Sequence, residues 1–344
     1  MADKKTALVT WWLWYIWSHT CCVLHEMWYR IIILDNLSNS TINVLYQLQK
    51  IIGEQPLFIQ ADLQDKSALD HLFEEHPEID IILHFAGKKA VYESCKDPFL
   101  YYDNNLIGSL NLLKSMQTYH KTNLIFSSSA TVYDATKSQA PFNEDSPTWT
   151  TNPYGTTKLM IEYLLKDLAT HQWFNIINLR YFNPIGAHPT GVLGEDPQGI
   201  PNNLLPYIFR VATGIYPFLN IFGDDYPTQD GTCIRDYIHV MDLADAHGAA
   251  LNYLKSFERT SNTQGIFEIF NIGTGTWTSV KEMVSFVEQV LQKKIPVKIS
   301  PRRSWDIAVS LANVDKAEKV LHWTSKRTIP DAISDSWKFI QNQK

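Results

Sequence analysis

Short apolar runs alternate with longer amphipathic stretches through the first half of the chain. Ala7–Thr10, Ile31–Asp35, Pro56–Gln60, Ile79–His84, Asn123–Ser127 and Asn175–Arg180 are rich in Ile, Leu, Val and Phe. Runs this apolar belong to strands covered on both faces. His19–His25, Tyr101–Tyr119 and Tyr154–Thr170 have helical character and fit between the strands. Strands alternating with helices predict an α/β fold, a doubly wound parallel (Rossmann-type) sheet.

From Pro184 the pattern changes. Pro, Gly and Asn cluster over Pro184–Pro206 and Gly223–Gly231, which reads as long loops. Strand and helix patterns return over Asp236–His247, Ile266–Ile272 and Val280–Leu291. Residues 1–183, joined by about 236–275, are expected to form the sheet domain. Residues 184–235 and 276–344 are expected to form a smaller, interleaved α/β lobe.

Composition narrows the function. The 344 residues carry 30 Lys+Arg against 36 Asp+Glu, a net charge of −6, so nothing in the charge favours nucleic acid or an anionic membrane. No stretch reaches the roughly 20 apolar residues of a membrane span. Thr6–Trp17 follows Lys4 and Lys5 but has no small-residue cleavage site, so a secretory signal is not expected. Cys21, Cys22, Cys95 and Cys233 have neither metal-ligand spacing nor the density of a disulfide scaffold. The expected setting is cytoplasmic and reducing, with no metal.

Ser127-Ser128-Ser129 ends a strand, and Asn152-Pro153-Tyr154-Gly155-Thr156-Thr157-Lys158 opens the next helix. Tyr154 and Lys158, four residues apart, share a helix face. An ammonium beside a phenol favours the phenolate, so Tyr154 is expected to titrate below its usual value of about 10 and act as a base. The pair alone is a common helix pairing. Its place at the carboxyl edge of an open sheet, where ligands bind, favours catalysis, with a serine hydroxyl to orient a substrate alcohol.

The chain resembles the extended short-chain dehydrogenase/reductases, and within them the UDP-glucose 4-epimerases. The resemblance runs from Leu8 to about Trp337. It is dense at His84-Phe85-Ala86-Gly87, Tyr101-Tyr102-Asp103-Asn104-Asn105, Arg180-Tyr181-Phe182-Asn183-Pro184, Gly194–Asn203, Ile221-Phe222-Gly223 and Arg235–Val240. It implies an NAD-dependent isomerase of galactose metabolism that interconverts UDP-glucose and UDP-galactose through a 4-keto sugar, with transient hydride transfer to NAD. Tyr154 would take the 4-hydroxyl proton, Ser129 would bind the same oxygen, and Lys158 would also hold the nicotinamide ribose. A homodimer packed through Tyr101–Tyr119 and Tyr154–Thr170 is implied as well.

The resemblance implies cofactor contacts at Trp12, Tyr15, Ile16, Asp35, Asn36, Asp62, Leu63, Phe85, Ala86, Lys89, Asn104 and Tyr181, besides Ser129, Tyr154 and Lys158. Asp35, at a strand end, suits the adenosine ribose and repels a 2′-phosphate. Nucleotide-sugar contacts are implied at Asn183, Asn202, Asn203, Leu204, Phe222, Arg235, Tyr237, Arg303, Asp306 and Ser310, with two arginines for a diphosphate. Ser310 falls where a bulky residue would narrow the sugar pocket, so UDP-N-acetyl sugars are expected to fit.

One segment departs from the family pattern. Where the resemblance implies TGGxGYIGSH, the chain reads Thr10-Trp11-Trp12-Leu13-Trp14-Tyr15-Ile16-Trp17-Ser18-His19. Those glycines allow a tight turn, backbone approach to the pyrophosphate, and helix packing on the strand. Indoles there are expected to fill the phosphate site and push the helix off the sheet. Trp28, Tyr92, Trp149, Trp305 and His322 also stand where glycine is expected. Average usage of about 7% would give roughly 24 glycines, and the chain has 15, with 11 Trp. We read this as systematic replacement of glycine in an epimerase sequence, with weak or absent NAD binding. Two alternatives remain. A nucleotide-sugar dehydratase lacks support, because Ser128-Ser129-Ala130-Thr131 stands where an extra acid pair is needed. A non-catalytic UDP-sugar-binding protein is the other.

Overall fold

The structure, a computed structural model, describes residues 4–10, 15–38, 41–85, 87–197, 199–258, 265–303 and 306–343. Trp11, Trp12, Trp14, Ala86 and Trp305 lie outside them. The first half alternates β1 (Thr6–Thr10), α1 (Ile16–Glu26), β2 (Arg30–Asp35), α2 (Asn43–Ile52), β3 (Leu57–Gln60), α3 (Lys66–Glu75) and β4 (Ile79–His84). It continues with α4 (Val91–Lys96), α5 (Pro98–Tyr101), a π-helical turn (Tyr102–Ile107), α6 (Gly108–Thr118), β5 (Asn123–Ser129), α7 (Pro153–Gln172) and β6 (Asn175–Tyr181).

The second half holds β7 (Asn183–Ile185), α8 (Leu204–Ala212), β8 (Leu219–Phe222), β9 (Ile234–His239), α9 (Val240–Glu258), β10 (Ile266–Ile272) and β11 (Trp277–Ser279). The chain ends with α10 (Val280–Leu291), β12 (Val297–Ser300), β13 (Val309–Ser310), α11 (Asp315–Leu321) and α12 (Ile329–Asn342).

Seven strands form one parallel sheet in the order β10-β6-β5-β4-β1-β2-β3. Alternation along each strand divides the core. Ala7, Val9, Ile31, Ile33 and Leu83 face α1, α2 and α9, while Leu8, Ile32, Ile82, Leu124 and Phe126 face α3, α6 and α7. Strand order reverses at β1, which pairs with both β2 and β4, and this opens a crevice at the carboxyl ends. A third core joins β7, β8, α8, α10 and α12 around Ile208, Ile221, Met283 and Ile333. β9 is outside the large sheet and pairs with β7, β11 and β13.

Two expectations need correction. The single helix expected over Tyr101–Tyr119 is broken by the π-helical turn at Tyr102–Ile107, a feature that often re-aims side chains at functional sites. The expected displacement of α1 by Trp17 does not occur: α1 packs on the sheet with Trp17 fully buried. The same buried cluster includes Ala246 and Ala250 of α9. Trp28 and His322 have φ of 63° and 53°, the left-handed region that glycine enters without penalty. Trp28, Tyr92 and Trp149 are exposed, so each bulky ring sits in solvent. Among the described residues no helix is long and apolar enough to cross a membrane.

Candidate active site

Asn152 accepts a hydrogen bond from Gly155 N at 2.9 Å and caps α7, with Pro153 at the first helical position. A Cβ on Gly155 would meet the Thr131 carbonyl at 3.1 Å. The helix start thus lies against the end of β5, with Tyr154 in the first turn and Lys158 one turn on. Ser129 Oγ accepts from Thr131 N at 3.3 Å and Thr131 Oγ1 at 3.0 Å, and shares a hydrogen bond with Tyr154.

The expected pairing of Lys158 with Tyr154 is not what the structure shows. Lys158, buried, donates from Nζ to the Ser127 carbonyl at 2.8 Å and lies 4.8 Å from the Phe126 ring centroid. Burial pushes its pKa down to about 7, partly offset by the charge of Glu162. Burial pushes Tyr154 up from its ordinary value, with the Ser129 hydrogen bond opposing. The expected lowering of Tyr154 is therefore corrected: desolvation outweighs an ammonium whose proton is directed at a main-chain carbonyl.

Beneath the serines lies a buried ion pair. Arg180 donates to Glu162 through Nη2 at 2.6 Å and Nε at 3.0 Å, and Ser128 Oγ donates to the same carboxylate. Lys158 and Glu162, one helical turn apart, thus grip Ser127 and Ser128 respectively, which fixes the strand end that carries Ser129.

At the carboxyl ends of β2 and β3, Asp35 is buried and accepts from Leu37 N, Asn36 Nδ2 donates to Asp62 Oδ2 at 2.7 Å, and Gln64 N donates to Asp62 Oδ1 at 2.8 Å. These carboxylates offer acceptor oxygens suited to ribose hydroxyls. Leu63 is a core residue that meets Gly108. Tyr15 donates to the Gly186 carbonyl at 2.6 Å, and Tyr181 hydrogen-bonds His247, whose ring lies 4.9 Å from Phe85. Asn104 is turned onto its own helix, donating to the Leu100 carbonyl at 2.7 Å.

A cavity of about 550 Å³ brings Ile16, Phe85, Lys89, Ser129, Tyr154, Lys158 and Tyr181 together with Asn183, Asn202, Asn203, Leu204, Phe222, Arg235, Tyr237, Arg303 and Asp306. A second of about 640 Å³ adjoins it and adds Tyr15. Asp35, Asn36, Asp62, Leu63, Asn104 and Ser310 line neither. Ser310 is buried on β13, in register with Arg235 on β9.

Asp306 holds both arginines, with Arg303 Nε at 2.8 Å and Arg235 Nη2 at 3.6 Å. Arg235 Nη1 also donates to the Ile234 and Ile307 carbonyls at 2.8 and 2.9 Å, and Arg303 lies 4.7 Å from the Phe222 ring. Asn183 Nδ2 donates to the Asp236 carbonyl at 2.9 Å. Burial pushes the Tyr237 phenol up to about 12.

Residues that the sequence did not single out complete the site. Asn105 donates to the Lys88 carbonyl at 3.0 Å and accepts from Lys88 N at 2.7 Å, also reaching Thr157 Oγ1 at 3.1 Å. Glu162, Glu195 and His247 likewise act through partners far away in sequence. Asn105 and Glu195 fall inside Tyr101–Asn105 and Gly194–Asn203, segments that carry the resemblance, and that was their sequence signal.

The sheet, the serine–tyrosine–lysine set at its carboxyl edge and the arginine-bearing lobe above it define an extended short-chain dehydrogenase/reductase. The family model for GDP-mannose 4,6 dehydratase matches residues 8–336. The UDP-glucose 4-epimerase of Bacillus subtilis is 47% identical over 94% of this chain and 94% of its own, and UDP-glucose 4-epimerase 2 of Arabidopsis thaliana is 47% identical over 98% and 95%. A UDP-glucose 4-epimerase structure from Stenotrophomonas maltophila, with bound NAD and formylated UDP-arabinopyranose, superposes with a TM-score of 0.93 at 43% identity over 98% of both chains. The chain belongs to the UDP-glucose 4-epimerase family.

Proposed function

We propose that this chain is the scaffold of an NAD-dependent UDP-glucose/UDP-galactose 4-epimerase whose hold on NAD is impaired. The observation that carries this reading is the shared cavity, in which Ser129, Tyr154 and Lys158 face Arg235, Arg303, Asn202 and Asn203. Two cations locked by Asp306 suit a diphosphate, and the amides suit sugar and base hydroxyl and carbonyl groups.

The residue types suit NAD, although Asp35 lies outside the cavity that holds the nicotinamide-end residues. Asp35 supplies an acceptor for ribose hydroxyls, while Ile16, Phe85 and Lys158 bound the cavity beside Tyr154. When bound, NAD supplies the reversible acceptor for the C4 hydrogen. Ser129 orients the sugar 4-hydroxyl, and Tyr154 Oη accepts its proton and returns it. Lys158 must leave the Ser127 carbonyl to lower the Tyr154 pKa. In sequence, Trp11, Trp12 and Trp14 stand where the family pattern has glycine, and overpacking even by methylenes costs about 1–3 kcal/mol; this supports the weak NAD binding.

For the division into residues 1–183 with about 236–275, and 184–235 with 276–344, β10 in the large sheet and the shared core of α8, α10 and α12 are in favour, whereas β9 pairs outside the large sheet and Ala317, Leu321 and Trp323 join the large-sheet core. Exposed Phe99, Ile107, Met160 and Tyr163 support a homodimer face. A cytoplasmic location fits the free cysteines. Ser310 lines neither cavity, so its small size bears on N-acetyl sugars only through Arg235, its register partner on the cavity wall; a Campylobacter jejuni structure described as a UDP-Glc/GlcNAc 4-epimerase is 34% identical.

The test is nucleotide content: the purified, folded chain is denatured, released NAD is assayed, and UDP binding is measured by calorimetry. Little NAD with retained UDP binding is expected. About one NAD per chain would refute the impaired-cofactor reading, and absence of UDP binding would refute the nucleotide-sugar site. UDP binding with no turnover after cofactor loading would favour a non-catalytic binding protein.

A further inference from the structure

Asn203 occupies the N-cap of α8 with extended backbone, φ −87° and ψ 148°. An asparagine there ordinarily accepts from the N–H of the second or third helical residue. The third is Pro206, which has no N–H, and the Asn203 side chain makes no cap bond. Its Nδ2 donates instead to Glu195 Oε1 at 2.5 Å. The same oxygen lies 3.5 Å from Lys89 Nζ, and the Glu195 side chain is 10% exposed. A carboxylate accepts and cannot donate. With one N–H of Nδ2 committed to it, Asn203 keeps Oδ1 and its second N–H for groups in the cavity.

Lys89 and Asn203 line both cavities but come from opposite halves of the site. Lys89 follows β4, beside the Lys88 backbone that Asn105 clamps on both sides. Asn203 opens a helix of the lobe. We propose that Glu195 is a positioning residue that couples the cofactor-facing and sugar-nucleotide-facing sides through one carboxylate oxygen. The inference rests on the nucleotide-sugar reading above. Lys89 supplies the countercharge that a nearly buried carboxylate requires, and the paired carboxylate fixes the Asn203 amide. A ligand that draws Lys89 away changes the acceptor that holds Asn203, and the coupling is reciprocal.

The test is a double-mutant cycle on the full chain, with UDP as the probe and affinity read by calorimetry, so that no NAD is needed. Glu195→Gln and Lys89→Met are each expected to weaken UDP binding roughly fivefold, with melting temperatures near that of the parent. The double variant is expected to be no weaker than Glu195→Gln alone, because the two act through one contact. Unchanged affinity in Glu195→Gln, or multiplying effects in the double variant, would overturn the coupling while leaving the functional reading intact. Should Glu195→Gln not fold, Lys89→Met and Lys89→Arg decide: loss in the first and retention in the second supports the coupling, and equal affinity in both overturns it. Absence of UDP binding to the parent chain would overturn the functional reading itself, and the coupling with it.

Discussion

Replacing Arg180 with Met isolates the Glu162 carboxylate beneath the catalytic serines. The pair is bidentate, at 2.6 and 3.0 Å, with side chains 4% and 3% exposed. Arg180 also donates to the Glu144 carbonyl at 3.1 Å and lies 4.8 Å from the Tyr133 ring. Removing one member of such a pair leaves a buried carboxylate with the Ser128 hydroxyl and the neighbouring Lys158 ammonium in place of its bidentate partner, and costs about 3–5 kcal/mol. That is a large part of a typical stability of roughly 5–15 kcal/mol. Replacing both members by apolar side chains of similar size removes the charge along with its partner and is often close to neutral. Urea unfolding followed by circular dichroism on Arg180→Met, Glu162→Leu and the double variant tests this. The double variant is expected to be more stable than either single one. A single-variant loss below about 1 kcal/mol, against the 3–5 expected, or a double variant whose loss equals the sum of the two, would refute the reasoning.

Three further outcomes are expected. Trp28→Gly removes an exposed indole from φ 63° and should stabilise the chain by about 1 kcal/mol, seen as a melting temperature about 2 °C higher; a lower one would contradict the strain argument. Lys158 has a folded pKa of about 7 against an ordinary 10.5, so the unfolded state binds more protons between those values. Stability should therefore rise with pH from about 7 toward 10.5, and Lys158→Met should stabilise the chain more at pH 6 than at pH 10 in thermal melts; a gain equal at both would count against it. Ser310→Tyr should weaken UDP-N-acetylglucosamine binding about tenfold relative to UDP-glucose, and equal effects on the two in calorimetry would remove the specificity argument.

The strands were legible because each is a short apolar run, and burial on both faces demands such runs whatever the partners. Ile266–Ile272 and Val280–Leu291 even keep their sequence boundaries in β10 and α10. The Tyr154–Lys158 spacing was legible for the same reason, since helical periodicity is local. The direction of the Lys158 ammonium was not, because the Ser127 carbonyl comes from a strand about thirty residues earlier, brought alongside by sheet packing. The choice of Asn105 over Asn104 depends on a π-helical turn that no spacing rule reveals.

Trp17 shows the limit from the other side. The sequence marks it as a bulky residue at a glycine position, and whether it displaces the helix depends on the packing of a core to which α9, more than two hundred positions away, contributes. The sequence by itself determined the sheet, the family and the chemical types in the site. Tertiary structure alone decided which donor meets which acceptor: Glu195 between Lys89 and Asn203, and Glu162 between Ser128 and Arg180. Local periodicity arises from backbone geometry and burial, whereas these contacts exist only once distant segments are packed together.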